Sequence, residues 1–397
     1  MSDERLCNPV STAELERRWA AVRAAMPERN LDALIVQGAC NLAGTGGYFR
    51  WFTGVSMATS YPATVIFPKD GLMTLVSHGP IGGERKLNGN DPVWRGVGLA
   101  LSTASFPAID YCIPYDPELV AREIKKAGYR NVGIVGWNNM LFGFGDKLRS
   151  LLDGVTLVDA TRLVDPLKAI KSAEEIELIR MAGQMQDEIL SRVQGHFKAG
   201  RKDYELMAYG QYVGNLLGSE TGYMLGSSSP PGQATNIRPR REQGREMNDG
   251  DVIYYQCENT GPGGMMVHVG RYYVLGKAPQ ELVDAFGTIC EAQDNTIRML
   301  QPGASCAEIF AEHNAFMEKH GMHKEPRLHC HGQGYDVVER PMIRHDEDMK
   351  LGTSMNIGLH PTFGNARLFV TVCDNFLIGP DGAVEHLHKT PRKIFEL

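Results

Sequence analysis

Apolar positions in the first third of the chain switch between two periods. In TAELERRWAAVRAAMPERN (12–30) they recur at helical spacing, and LDALIVQ (31–37) follows as an apolar run of strand length. ATVIFP (63–68), LMTLVSH (72–78), NVGIVGW (131–137) and VTLVDA (155–160) repeat the strand signature, with helical stretches such as EIKKAG between them. This alternation predicts an α/β domain. The pattern changes near LVDPLKAIKSAEEIELIRMAGQMQDEIL (163–190). Pro166 is expected to end one element there. Ser172 and Glu175 have the spacing of a capping box, which predicts the start of a long amphipathic helix. KDYELMAYGQYVGNLLG reads as a second helix, and the stretch from about 222, YMLGSSSPPGQATNIRPRREQGRE, reads as a loop. DGDVIYYQCEN (249–259) and MMVHVGRYYVLG (265–276) predict a hairpin around TGPGG. A helix pair is expected over 279–320, then three strands in RLHCHGQ, SMNIGLHP and LFVTVCDNFLI.

Composition narrows the class. At 397 residues the chain exceeds one ordinary domain, so two are expected. Charged residues at 22% and hydrophobic ones at 43% are usual for a soluble globular protein. A net charge of −6 gives no electrostatic footprint for nucleic acid. The start, MSDERLCNPVSTAELERRW, has no apolar stretch of the kind a secretory signal needs, and no run reaches the length of a membrane span. Eight cysteines without a CxxC pair suggest reduced thiols and a cytoplasmic location.

Six segments in order carry a family likeness. IKSAEEIELIRMAG resembles a family helix opening, MNDGDVIYY a KxGD strand start, and HVGRYYVLG a D-x-x-R-T strand. CHGQGYDVVERP resembles a GHGxG…HEP loop, MNIGLHPTFG an MxxTxEPG strand, and FVTVCDNFLIGPDG an R-x-E-D-x-x-x-V strand. Together they resemble the pita-bread family of creatinase, aminopeptidase P, prolidase and methionine aminopeptidase. CNLAGTGGYFRWFTG extends the likeness to the N-terminal domain of creatinase and prolidase. The resemblance implies an α/β N-terminal domain over 1–164, an α+β pita-bread domain over 165–397, and a homodimer. Fold alone does not fix the activity.

The peptidases of that family hold two metal ions with Asp, Asp, His, Glu and Glu. Carried over by motif, the five positions here are Gln256, His268, His331, His360 and Cys373. Placing His268 assumes one extra residue in the hairpin turn and uses Arg271 as the anchor. The histidine of the H-E-P segment is replaced by Val338, and another upstream falls within NIRP, at Asn236 or Ile237. Two divalent cations close together need bridging carboxylates, and the five positions contain none. A dinuclear peptidase is therefore excluded as an expectation.

Two readings of the pocket remain. In the first the site is metal-free, as the resemblance to creatinase implies, and His331 is the leading acid or base because an ordinary imidazole titrates near neutrality. Strand alternation puts Glu258 on the face of Gln256, as the carboxylate beside it. Creatinase keeps glutamates at the positions of His360 and Gly270, so creatine is not the expected substrate. In the second reading His268, His331 and His360, with Cys373 or Glu258, hold a single zinc, iron or copper ion. A third class is a ligand-binding protein without catalysis.

In HCHGQG (329–334), His329 and His331 would share a face of an extended strand, with His329 as packing or support. Cys373 is weighed as a nucleophile against an inert buried thiol. Arg238, Arg340 and Arg344 are candidate clamps for a carboxylate, against the plainer reading of solvated loop charges. The resemblance to creatinase implies that Arg50 and Trp51 cap the substrate across a dimer, against the plainer reading of an aromatic core segment. The expectation is a non-peptidase hydrolase or lyase that cleaves a C–N bond in a small, polar, carboxylated molecule.

Overall fold

The computed structural model describes residues 7–38, 46–57 and 61–397. Residues 40–45, the start of the CNLAGTGGYFRWFTG segment, lie outside the described residues. The chain forms two compact units, Met1–Lys168 and Ala169–Leu397.

The first unit runs α1 (Thr12–Ala25), β1 (Ala33–Gly38), α2 (Gly47–Thr53), β2 (Ala63–Pro68), β3 (Met73–His78), β4 (Gly83–Lys86), β5 (Val97–Thr103), α3 (Tyr115–Ala127), β6 (Asn131–Val135), α4 (Phe142–Leu151), β7 (Thr156–Asp159) and α5 (Thr161–Ala169). Its strands form one mixed sheet in the order β4-β5-β3-β2-β1-β6-β7. The all-apolar runs of β1 and β2 are buried along their full length, as strands covered on both faces must be. Pro166 does not end an element: it sits inside α5. Leu163 and Val164 of that helix are buried, and this packing outweighs the loss of one backbone hydrogen bond at the proline.

The second unit holds α6 (Ala173–Gln194), α7 (Asp203–Leu216), β8 (Gly222–Ser229), β9 (Val252–Thr260), β10 (Met266–Val274), α8 (Gln280–Met299), α9 (Cys306–Lys319), β11 (Cys330–Gly332), β12 (Glu339–Met342), β13 (Met355–Leu359), β14 (Thr362–Gly364), β15 (Phe369–Thr371), β16 (Asp374–Ile378), β17 (Val384–His386) and β18 (Ile394–Glu396). Two main sheets result, β18-β10-β9-β8 and β12-β11-β13-β16-β17. The Ser172 hydroxyl accepts from Glu175 N and the Glu175 carboxylate accepts from Ser172 N, so the capping box opens α6. The hairpin β9–β10 forms as its alternation requires, with His268 opposite Glu258 and Gly270 opposite Gln256.

Two sequence expectations change here. The start of the segment from 222, Gly222–Ser229, is a strand, β8, paired along β9, and the rest is irregular as expected. Its glycine and serines are compatible with that pairing because Gly226 has φ 133 and a Cβ there would lie 1.9 Å from the Tyr254 carbonyl oxygen. LFVTVCDNFLI is two strands rather than one, broken between Thr371 and Asp374. At the break, Cys373 turns its carbonyl to accept from Gly270 N at 3.0 Å, tying β10 to the start of β16.

Candidate active site

Strand alternation brings Tyr254, Gln256 and Glu258 to one face of β9. Tyr254 donates its hydroxyl to Gln256 Oε1 at 2.5 Å, and Gln256 Nε2 lies 3.4 Å from Glu258 Oε2. Gly270 makes this possible, because a Cβ there would lie 2.2 Å from the Tyr254 hydroxyl. His268 from β10, His331 from β11 and His360 from the end of β13 meet over these residues. Ring centroids are 5.4 Å apart for His268–His331, 5.4 Å for His268–His360 and 5.2 Å for His331–His360. Sheet register explains the meeting: His331 pairs with Gly358, two residues before His360 on the same strand face. Gly358 is needed too, since a Cβ there would lie 2.4 Å from His268 Nε2. His268 and His331 are buried, while Glu258 and His360 are partly open to solvent.

The electrostatics correct one expectation. Burial, with His268 adding to it, pushes the His331 imidazole down to about 4 rather than leaving it near neutrality. Burial likewise lowers His360 well below its ordinary value, helped by His331 and His268. Both rings are therefore neutral at physiological pH. His331 donates Nδ1–H to the Gly332 carbonyl at 3.0 Å, leaving Nε2 with a lone pair. Burial alone would raise Glu258, but His268, His331 and Arg327 outweigh it and hold the carboxyl below its ordinary value, so it is ionised. Burial pushes the Cys373 thiol well above its ordinary range, with Glu258 and Asp374 adding to it. A protonated thiol is neither a nucleophile nor an anionic ligand.

The other candidates are placed as follows. Arg340 is engaged by Glu347 and Asp348, and Arg344 by Asp346 at 2.6 Å. Each would have to give up carboxylates of its own loop to hold a substrate. Arg238 is half-buried, 3.5 Å from Glu242. Arg50 and Trp51 lie on α2 inside the first unit, 5% and 1% exposed, so as placed neither offers a surface to a substrate. His329 turns away from the cluster because β11 begins only at Cys330. Its ring stacks on His313 of α9 at 3.6 Å, and its Nε2 lies 3.3 Å from Thr296 Oγ1.

Two residues beside the cluster were not singled out from sequence. Arg327 is exposed, and its charge bears on Glu258, His331 and His360. Among the described residues nothing engages its guanidinium. Gln333, inside HGQG, lies with Nε2 3.4 Å from His268 Nδ1. The signals were an arginine four residues before His331 and a buried amide in a glycine turn.

The model of metallopeptidase family M24 matches residues 177–380. The chain belongs to this family. It is 24% identical over 401 residues to the "Uncharacterized hydrolase/peptidase y4tM" of Sinorhizobium fredii, covering 95% of this chain and 89% of that one. It is 24% identical over 425 residues to the ectoine hydrolase of Halomonas elongata, covering 98% of each. A prolidase structure from Thermococcus sibiricus superposes with a TM-score of 0.79 over 98% of this chain and 100% of that one, at 19% identity. The pita-bread fold with its N-terminal domain is thereby established.

The residues present do not fit a two-metal M24 centre. Gln256, His268, His331, His360 and a protonated Cys373 supply no bridging carboxylate. Among the described residues, the one set of His, Cys or carboxylate donors whose ligand atoms all lie within 4.8 Å of one another is a different one: Asp374, His386 and His388. There the Asp374 carboxylate is already held by Arg271 at 2.7 Å.

Proposed function

We propose that this protein is a non-peptidase member of family M24 that cleaves a C–N bond, by hydrolysis or lytic cleavage, in a small polar molecule carrying a carboxylate. One observation carries the reading: Gln256, His268, His360 and Cys373 stand where a two-metal peptidase needs acids, and the two histidines meet His331 beside a single carboxylate, Glu258. The kinship with an ectoine hydrolase, named for a small molecule and not a peptide, supports it.

In the hydrolytic form His331 Nε2 takes a proton from the attacking water as the C–O bond forms. It returns that proton to the leaving nitrogen as the C–N bond breaks. Glu258 stabilises the imidazolium that exists between the two steps. Arg327, at the open side, pairs with the substrate carboxylate. The exposed apolar side chains Phe106, Ile109, Tyr111, Ile113 and Phe142 of the first unit support a homodimer.

A second reading, one zinc, iron or copper ion on His268, His331 and His360, is favoured by the mutual approach of three imidazoles. Elemental analysis of untagged protein purified without chelator separates the two. One equivalent of metal, lost in His268→Ala and His331→Ala, would establish the ion. Substoichiometric metal, together with turnover of some member of a panel of carboxylated amides, amidines and ureas, supports the metal-free reaction. No turnover across the panel, with saturable binding of a member, would leave a binding protein.

A further inference from the structure

Behind His268 lies a chain of buried side-chain amides whose polarity is fixed by the backbone. The His268 backbone N–H donates to Asn375 Oδ1 at 2.8 Å. Asn375 must then turn Nδ2 the other way, where it donates to Gln333 Oε1 and Asn356 Oδ1, each at 2.8 Å. Asn356 is anchored in turn, with Nδ2 facing the carbonyls of Met266 and Gln333, each at 3.4 Å. Reversing any one amide would set N–H against N–H. Gln333 therefore has its oxygen committed to Asn375 and presents Nε2 to His268 Nδ1 at 3.4 Å.

A donor facing Nδ1 requires a lone pair there, which puts the ring proton on Nε2. That atom is buried and has no hydrogen-bond partner among the described residues. It lies over Gly358, flanked by the rings of His331 and His360. Glu258 Oε1, the competing neighbour of Nδ1, is 3.6 Å away, farther than Gln333 Nε2.

We propose that Gln333 is a positioning residue that locks His268 in the Nε2–H tautomer, making His268 the hydrogen-bond donor of the site and His331, with its Nε2 lone pair, the acceptor. Such a pair suits a substrate group that offers an oxygen to one ring and an N–H or water to the other. An amide or a urea has that polarity. The tautomer is also the wrong one for a metal ligand, because an imidazole that ligates through Nε2 donates its Nδ1–H to an acceptor. This inference deepens the metal-free reading and rests on it for its functional meaning, but its test does not depend on turnover.

The test is ring-nitrogen NMR of histidine-labelled, substrate-free full-length protein at neutral pH, with His268 assigned by the signals lost in His268→Gln. The expected spectrum has His268 protonated on Nε2 and His331 on Nδ1. Gln333→Glu, whose carboxylate accepts, should move the His268 proton to Nδ1, and Gln333→Leu should leave a mixture decided by Glu258. A wild-type His268 protonated on Nδ1, or on both nitrogens, would overturn the proposal whether or not the variants fold. If the tautomer is as stated and the substrate panel still gives no product, the reaction fails and the positioning role stands.

Discussion

The second unit contains two assemblies of histidine and carboxylate, bridged by Asn375. Asn375 Oδ1 accepts from His268 N at 2.8 Å, while its own N–H lies 3.4 Å from His388 Nδ1. In the deeper assembly Asp374 is fully buried between Arg271, His386 and His388, at 2.7, 3.1 and 3.7 Å. Burial would raise its carboxyl, but Arg271 and the two imidazoles more than offset this and hold it far below the usual range. Arg271 also donates to the carbonyls of Gly270, Cys373, Thr390 and Pro391. The second assembly, His268, His331, His360 and Glu258, carries a buried ring nitrogen with no partner and a charge, Arg327, that nothing among the described residues engages. The first has the tighter cluster of donor atoms, yet its hydrogen-bonding capacity is consumed in joining strands. The second is looser and has capacity to spare. Proximity of ligand-type residues is thus a poorer guide to a working site than unmet demand.

The largest effect expected from this contrast falls on the satisfied assembly. Arg271→Met strands a buried carboxylate and should cost about 3–5 kcal/mol, read as a loss of soluble protein or a fall in the urea midpoint. A shift smaller than that of a surface substitution would show that the ion pair does not hold β10 to β16. His331→Gln should do the reverse, leaving the urea midpoint near wild type while lowering turnover of any panel substrate by about 10²–10⁴. Equal losses of stability in both variants would erase the distinction between the two assemblies.

Gly358→Ala tests the packing around His268. The new methyl group meets Nε2, and overpacking of this kind costs about 1–3 kcal/mol. Displacement of the ring should be visible in the His268 NMR signals before it is visible in the melting temperature.

Acid dependence follows from burial. His331 and His313 are pushed down to about 4, and His360, His329 and His388 are also lowered, all mainly by desolvation. An unfolded chain binds protons at these groups near the ordinary histidine value, whereas the folded one does not. Their contribution to stability is therefore complete above about pH 6.5 and is lost as pH falls toward 4. Urea midpoints measured from pH 7.5 to 4.5 should fall steadily below about 6.5, and a flat profile would contradict the neutral-imidazole description. The smallest effect belongs to Arg327→Gln, which should change stability by no more than about 0.5 kcal/mol while raising KM for a carboxylated substrate about tenfold or more. An unchanged KM would assign the anion to another arginine.

Much of this arrangement could be read from the chain. Alternation in DGDVIYYQCEN puts Gln256 and Glu258 on one face, and the Arg271 anchor carries His268 to a family ligand position, which the strand register sets opposite Glu258. Motif order located His331 and His360. What escaped were properties set by burial and by neighbours distant in sequence. The shift of His331 depends on being enclosed with two other rings. His329 packs, as the sequence suggests, but against α8 and α9, because the strand begins one residue later, at Cys330. Pro166 gave a strong local stop signal, which packing on Leu163 and Val164 overrode. Nothing local to Gln333, between its two glycines, says that Asn375 fixes its amide.

The glycine at 270 has a bearing on how this pocket could be engineered. With no side chain there, the Tyr254 phenol fills the space in front of residue 256 and hydrogen-bonds what it finds. Returning a carboxylate to that position alone, as in Gln256→Asp, would hand the phenol an anionic acceptor rather than offer a cation a ligand. The space has to be vacated before any ligand placed in it by substitution can be used.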